Sequence, residues 1–329
     1  MRVICRYVFE STAALCIAAL LVYSQTGTRV MAAMTGAGVG MHNLVLREPR
    51  PALGPHRWGG WGSAARTTVY VSALGAHTVN LYDKNGTLRG QITGFGNPVG
   101  LAVDGAGNLY VADDVQNVVD VFKRGAHTPF AILQDGAASP ATVAVGADGT
   151  VYASNVTNGS PGTISVWKPG QTKVAYHISD PNVFDFEGLA LDAKNHLYAT
   201  WYASGGSGGV DKVAPKSRTP RNLGLLDLHV PLDIALDHRG RLVIADAGCA
   251  CLQVFRHGDF APARTISGFS QPTEVAFDQK QRLLFVSDAQ AADVVVLSYG
   301  SGKTKYTITA GLSASNYPWG VAVDPPAPL

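Results

Sequence analysis

The sequence predicts an all-β fold, a six-bladed propeller of four-stranded antiparallel blades closed by its C-terminal strand, and three observations lead there. One apolar segment recurs six times, as GLAVD (100–104), TVAVG (142–146), GLALD (188–192), DIALD (233–237), EVAFD (274–278) and GVAVD (320–324), at spacings of 42, 46, 45, 41 and 46 residues. A repeat of this period, carrying four short strands, is the sequence mark of a propeller blade. Glycine makes up 37 of 329 residues and only 15% are charged, which suits short strands joined by tight turns and excludes intrinsic disorder or a helical bundle. The ends are complementary as well. The unit starting at Val69 lacks a first strand, and NYPWGVAVD (316–324) is a first strand with nothing after it, so pairing the two closes the ring and removes its open edges.

Taken in order, the chain opens with Arg2 and Arg6, followed from Ser11 by STAALCIAALLVY without a charge. That run is too short to span a bilayer and matches the apolar core of a secretory signal over residues 1–24, with an uncleaved anchor as the other reading. Residues 25–66 are rich in Gly, Ala and Pro without strand or helix periodicity and read as a flexible stalk, whose Trp58 and Trp61 are candidates to dock on the domain behind. Residues 67–329 form the propeller. After each first strand comes a turn, DGAG (104–107), GADG (146–149), DAKN (192–195) and DHRG (237–240), ending in the Gly or Asn that accepts positive φ. DQKQ (278–281) breaks this rule and predicts a wider turn. The second strands follow as NLYVAD, TVYASN, HLYATW, RLVIAD and RLLFVSD, and the third as VVDVF (118–122), TISVW (163–167), GVDKV (209–213), LQVF (252–255) and VVVL (294–297). Proline precedes five first strands, at Pro98, Pro140, Pro231, Pro272 and Pro318, where no ladder donor is needed; Phe186 takes its place in blade four.

With these residues in view, PVGLAVDGAGNLYVAD (98–113) and VIADAGCACLQVF (243–255) resemble the NHL-repeat propellers over residues 67–324. The resemblance implies the six-bladed fold. It leaves function open, because such propellers host enzymes, sensors and plain binding modules.

Blade topology places the loops between second and third strands, and those between blades, on one face of the disc. Asp113, Asp114, Asp185, Glu187, Asp233, Asp246, Glu274 and Asp288 fall there, whereas Lys and Arg residues from Lys123 to Lys305 fall on the other. One face is therefore expected to be acidic and the other basic. Asp233 and Glu274 start first strands around the channel, Glu187 sits one residue further out, and the three are candidate ligands for one divalent cation, Ca²⁺ by its preference for oxygen; the plainer reading is a solvated rim. Asp246 and Asp288, with Asn155, end second strands, as turn caps or as ligand contacts. Trp201 and Tyr202 flank the insert YASGGSGG (202–209), where they are placed either to stack on a ligand or to pack between blades. A second insert, VTNGSPG (156–162), lengthens the corresponding hairpin of blade three. Cys249 and Cys251 form either a hairpin disulfide or two thiols, and no histidine cluster accompanies them for zinc. A net charge of +2 argues against nucleic acid as a partner.

The expectation is an extracytoplasmic, monomeric module that binds a small molecule or a protein through its acidic face. The alternative is a metal-dependent hydrolase acting on a lactone or ester, as in the gluconolactonase-type propellers. That resemblance draws Asn155 in beside Glu187, Asp233 and Glu274, although the family's E-G-P-x-W is matched only by Glu187-Gly188. If the signal is cleaved, N-terminal sequencing of the exported protein gives a start near Gln25 or Ala33; an intact Met1 in the membrane fraction identifies an anchor.

Overall fold

The computed structural model describes residues 67–136, 138–156, 161–203 and 207–328, together with the backbone of three N-terminal strands. Those strands, Val3–Val8, Ile17–Tyr23 and Arg29–Ala33, pair antiparallel in sequence order within a unit of their own, Met1–Ala64. The rest of the expected signal and stalk, Trp58 and Trp61 included, lies outside the described residues. Among the described residues no helix is long and apolar enough to cross a membrane.

The second unit is the six-bladed propeller. Its inner strands are Pro98–Val103, Ser139–Val145, Asp185–Leu191, Pro231–Leu236, Pro272–Phe277 and Pro318–Asp324, each leading an antiparallel sheet of four. Pro318–Asp324 is the inner strand of blade one. It pairs with Thr68–Ala73 so that Asp324 faces Thr68 and Pro318 faces Ala73, which closes the ring as expected.

The apolar residues divide into six clusters, and each one fills the seam between two neighbouring blades. Ile164, Val166 and Ile178 of blade three meet Phe186, Leu189 and Leu197 of blade four in one seam. Val69, Val71, Val321 and Val323 of blade one meet Phe285, Val294 and Val296 of blade six in another. Strand alternation explains the pattern: a blade between two neighbours buries both of its faces, so its middle strands read as nearly continuous apolar runs.

The turns follow the sequence rule. Gly107, Gly149, Gly240 and Asn195 hold positive φ, and Asp104 accepts hydrogen bonds from the amides of Ala106 and Asn108, both at 2.9 Å. In the exceptional turn Gln281 takes the left-handed conformation (φ 51°), and the Asp278 amide donates to Leu283 O, one residue further along than in its counterparts. The turn is wider, as its sequence predicts. Every inner strand also has a register shift near its start, between Pro98 and Leu101 in blade two and at the matching place in the other five. The shift frees main-chain donors that side chains near the axis use.

Deleting residues 316–329 removes Val321 and Val323 from one seam and Ala322 from the next, and opens the ring. We expect loss of the cooperative thermal transition. A truncated chain that melts within a few degrees of the intact one would contradict non-covalent closure.

Candidate functional site

The first residue of each GLAVD-like segment lies against the neighbouring blade at the channel. In ring order these residues are Gly320, Gly100, Thr142, Gly188, Asp233 and Glu274. A Cβ on Gly100 would come within 2.5 Å of the Thr142 Cα, and Cβ atoms on Gly188 and Gly320 would strike the main chain at Asp233 and Val99. Three blades therefore approach too closely to carry a side chain there, and the other three supply one hydroxyl and two carboxyls. Hydroxyls from second strands lock the approach. Ser72 Oγ donates to Val99 O of blade two and accepts from the Gly320 amide, both at 2.6 Å. Ser154 Oγ likewise donates to Glu187 O (2.6 Å) and accepts from the Thr142 amide (3.2 Å). Blades two and five have Ala112 and Ala245 at this position.

In blade five the Asp233 carboxylate takes up the bridging role, and Oδ2 accepts from the Val275 amide of blade six at 2.9 Å. Glu274 reaches past blade one, with Oε1 accepting from the Leu101 amide of blade two at 3.2 Å. Both side chains are buried, and burial pushes the Asp233 carboxyl up to about 7. Burial also raises Glu274 well above the usual carboxylate range, and the negative charge of Asp233 raises it further. Two carboxyls in one low-dielectric site cannot both ionise cheaply, so the pair retains a proton near neutral pH. With Thr142, Glu187, Thr273 and Trp319 they line a small cleft with a cavity volume of about 10 Å³, room for about one water. The space suits an ion or a water.

The structure thus brings Asp233 and Glu274 together, with Glu187 on the wall of the same cavity. Among the described residues no set of three or more His, Cys, Asp or Glu side chains converges with metal-site geometry.

The other sequence candidates have structural surroundings. Asp246 is buried, with Oδ1 accepting from the amides of Val230 (2.8 Å) and Gly248 (3.0 Å) and Oδ2 from the His229 amide (3.0 Å). Asp288 takes the amides of Ser270 and Gln271 at 2.6 and 2.7 Å in the same way. Each ties its hairpin to the preceding inter-blade loop, the geometry of a turn cap. Asn155 is buried and donates to Thr163 Oγ1 and Ser165 Oγ, away from the cavity lining. Trp201 is half-buried against a blade seam, its Nε1 donating to Asp211 Oδ1 at 2.8 Å. Tyr202 donates from its hydroxyl to Asp185 Oδ2 at 3.0 Å. Both aromatics are held by blade three–four architecture, while 204–206 of the adjoining insert and 157–160 of the other lie outside the described residues. Cys249 and Cys251 are joined as a disulfide, with Cα atoms 5.2 Å apart, in the blade-five hairpin.

Sequence reasoning missed a polar position in the middle of the third strands, held by Asn80, Asp120, Ser165, Asp211 and Gln253. Gln253 Nε2 donates to Asp227 O of the preceding inter-blade loop at 2.5 Å, and Ser165 bonds Asp135 in the equivalent loop. Burial pushes Asp120 and Asp211 up to about 6. The signal was available: one polar residue interrupts an apolar run such as VVDVF at the same place in five repeats.

The face read as basic also carries carboxylates. The turn aspartates Asp104, Asp192, Asp237 and Asp278, and the strand-end Asp324, belong to the face read as basic. They fold inward, onto turn amides or, for Asp324, onto Arg124 (2.7 Å). That face holds both signs, and its cations are what project.

No protein-family model matches the chain, and no curated protein matches it. Solved structures do. A chain of the nidogen/laminin complex superposes with a TM-score of 0.65 at 17% identity, covering 78% of this chain and 98% of that one. A protein of unknown function from Bacteroides caccae gives 0.61 at 13% identity, covering 79% and 99%. A functionally unknown protein from Desulfotomaculum acetoxidans gives 0.57 at 14%, covering 78% and 98%. At such identities the likeness establishes the fold alone.

The raised carboxyls make stability fall as pH rises. The folded state keeps protons on Asp233, Glu274, Asp120 and Asp211 where the unfolded chain has lost them above about pH 4, so their favourable contribution is full below that and disappears through about pH 7. We expect the melting temperature to drop between pH 5 and pH 8, and the joint change Asp233→Asn and Glu274→Gln to flatten much of that slope. A slope unaltered in the double variant would place the titration elsewhere.

Proposed function

We propose that this chain is a non-enzymatic, extracytoplasmic NHL-like binding module whose acidic face is the recognition surface and whose channel mouth takes one cation, Ca²⁺ by the hardness of its oxygen donors. The observation that carries this reading is the Asp233–Glu274 pair, two buried carboxyls competing for a proton at the wall of a cavity of ion size. A cation entering there replaces the proton and removes the repulsion. The disulfide Cys249–Cys251 and the uncharged run at Ser11–Tyr23 support an oxidising, exported setting. Binding is favoured over hydrolysis because main-chain amides already occupy Asp233 Oδ2 and Glu274 Oε1, leaving few open ligands to polarise a substrate.

Because a cation binds only the folded state here, the melting temperature is expected to rise with Ca²⁺ concentration and to rise further at pH 8 than at pH 6, where the proton competes. Asp233→Asn with Glu274→Gln abolishes the response. Identical melting curves in chelator and in millimolar Ca²⁺ would refute cation binding at the mouth.

A further inference from the structure

We propose that the face opposite the acidic one docks flat on an anionic phospholipid surface. From residue 67 onward the sequence has 19 Lys and Arg residues. None lies in a hairpin between second and third strands or in a connection between blades; all are in the other turns or in the strand halves adjoining them.

Folding sharpens the asymmetry. On this face Asp104, Asp192, Asp237 and Asp278 turn inward to their own turn amides, and Asp148 and Asp259 are the carboxylates that stay exposed. Three arginines are ion-paired, Arg89 with Asp83, Arg124 with Asp324 and Arg241 with Asp237. Each blade still projects an exposed cation with no carboxylate partner among the described residues: Lys84, Lys123, Lys168, Lys216, Arg256 and Lys303, one from each blade in turn. The charge is spread as a ring over six blades. It suits a flat array of negative groups and not one small anion.

A second observation selects lipid as the source of those groups. Phe260 and Phe130, 62% and 51% exposed, are the largest apolar side chains left in water among the described residues. They stand in the turns 123–130 and 256–263 between third and outer strands, on this same face. Those turns belong to blades two and five, which are opposite one another in a ring of six. Lys123 Nζ lies 4.0 Å above the Phe130 ring. Apolar side chains at two opposite rims of a cationic disc match an interface with headgroups outside and hydrocarbon beneath.

The test is co-sedimentation of the full chain with vesicles of equimolar phosphatidylglycerol and phosphatidylcholine, against phosphatidylcholine alone. We expect partition into the anionic vesicles at least about tenfold above the neutral ones, lost as NaCl is raised from about 0.05 to about 0.5 M. Lys84→Glu, Lys168→Glu and Lys303→Glu together should cut the anionic partition about tenfold, and Phe130→Ser with Phe260→Ser severalfold. All five sites are exposed, and unchanged circular dichroism confirms folding of both variants. Equal partition into the two vesicles, or wild-type partition by the charge variant, overturns the proposal. So does a phenylalanine variant that binds as wild type while soluble heparin competes fully, because the face would then read any polyanion. Chelator should leave vesicle binding unchanged; its loss in chelator would route the contact through a cation and overturn the direct one, whereas failure of the Ca²⁺ melting experiment leaves this face unaffected.

Discussion

The apolar seam between neighbouring blades is the interaction on which the rest of this propeller depends. A four-stranded antiparallel sheet with two apolar faces cannot be stable alone, and it becomes so only when both faces are covered. Here six seams replace one central core, each built from alternate residues of two adjacent sheets. Around the described ring the seams run without interruption, so the first and last blades have to be the same blade. That requirement explains why Pro318–Asp324 pairs with Thr68–Ala73, about 250 residues earlier, despite the loop-closure entropy of so distant a contact.

Closing six such seams crowds the inner strands at the axis, and the crowding shapes the candidate site. Glycine at 100, 188 and 320 lets main chains meet, while Ser72 and Ser154 lock adjoining strands through the amides that the register shifts release. Where blade five carries Ala245 in place of the serine, Asp233 makes the bridge, and Glu274 adds a second carboxyl beside it. A group that began as an inter-blade tie thereby becomes a proton-holding pair in a cavity of ion size. Structural need and chemical capacity meet in the same side chains, as they do at many buried charged positions.

The two faces differ because turn chemistry differs. A turn after an inner strand uses Asp to accept its own amides and Gly or Asn to reverse the chain, which directs carboxylates inward and leaves Lys and Arg outside. The hairpins and inter-blade loops of the opposite face bury Asp113, Asp246 and Asp288 in a similar way but carry no Lys or Arg. The disc is consequently polarised even though its acidic and basic residues nearly balance.

The fold class, the number of blades, the strand order and the place of closure are all legible in the linear sequence. All of these rest on periodicity: the recurrence of GLAVD-like segments and the incomplete units at each end are local patterns that survive without coordinates. The wide turn at DQKQ is legible too, from the absence of a Gly or Asn. The surroundings of the polar positions are not, because they are made across blades. Asp246 and Asp288 share the residue type and repeat spacing of a plausible ligand set, yet their oxygens are consumed by amides of loops about 17 residues away in the chain. Asp233 and Glu274 look like two more members of a rim, and it is their burial against neighbouring inner strands that moves their protons. A carboxylate's role depends on which donors and charges lie within a few ångströms. In a propeller those come from the next blade, some forty residues distant, where a one-dimensional pattern records the residue and not its neighbours.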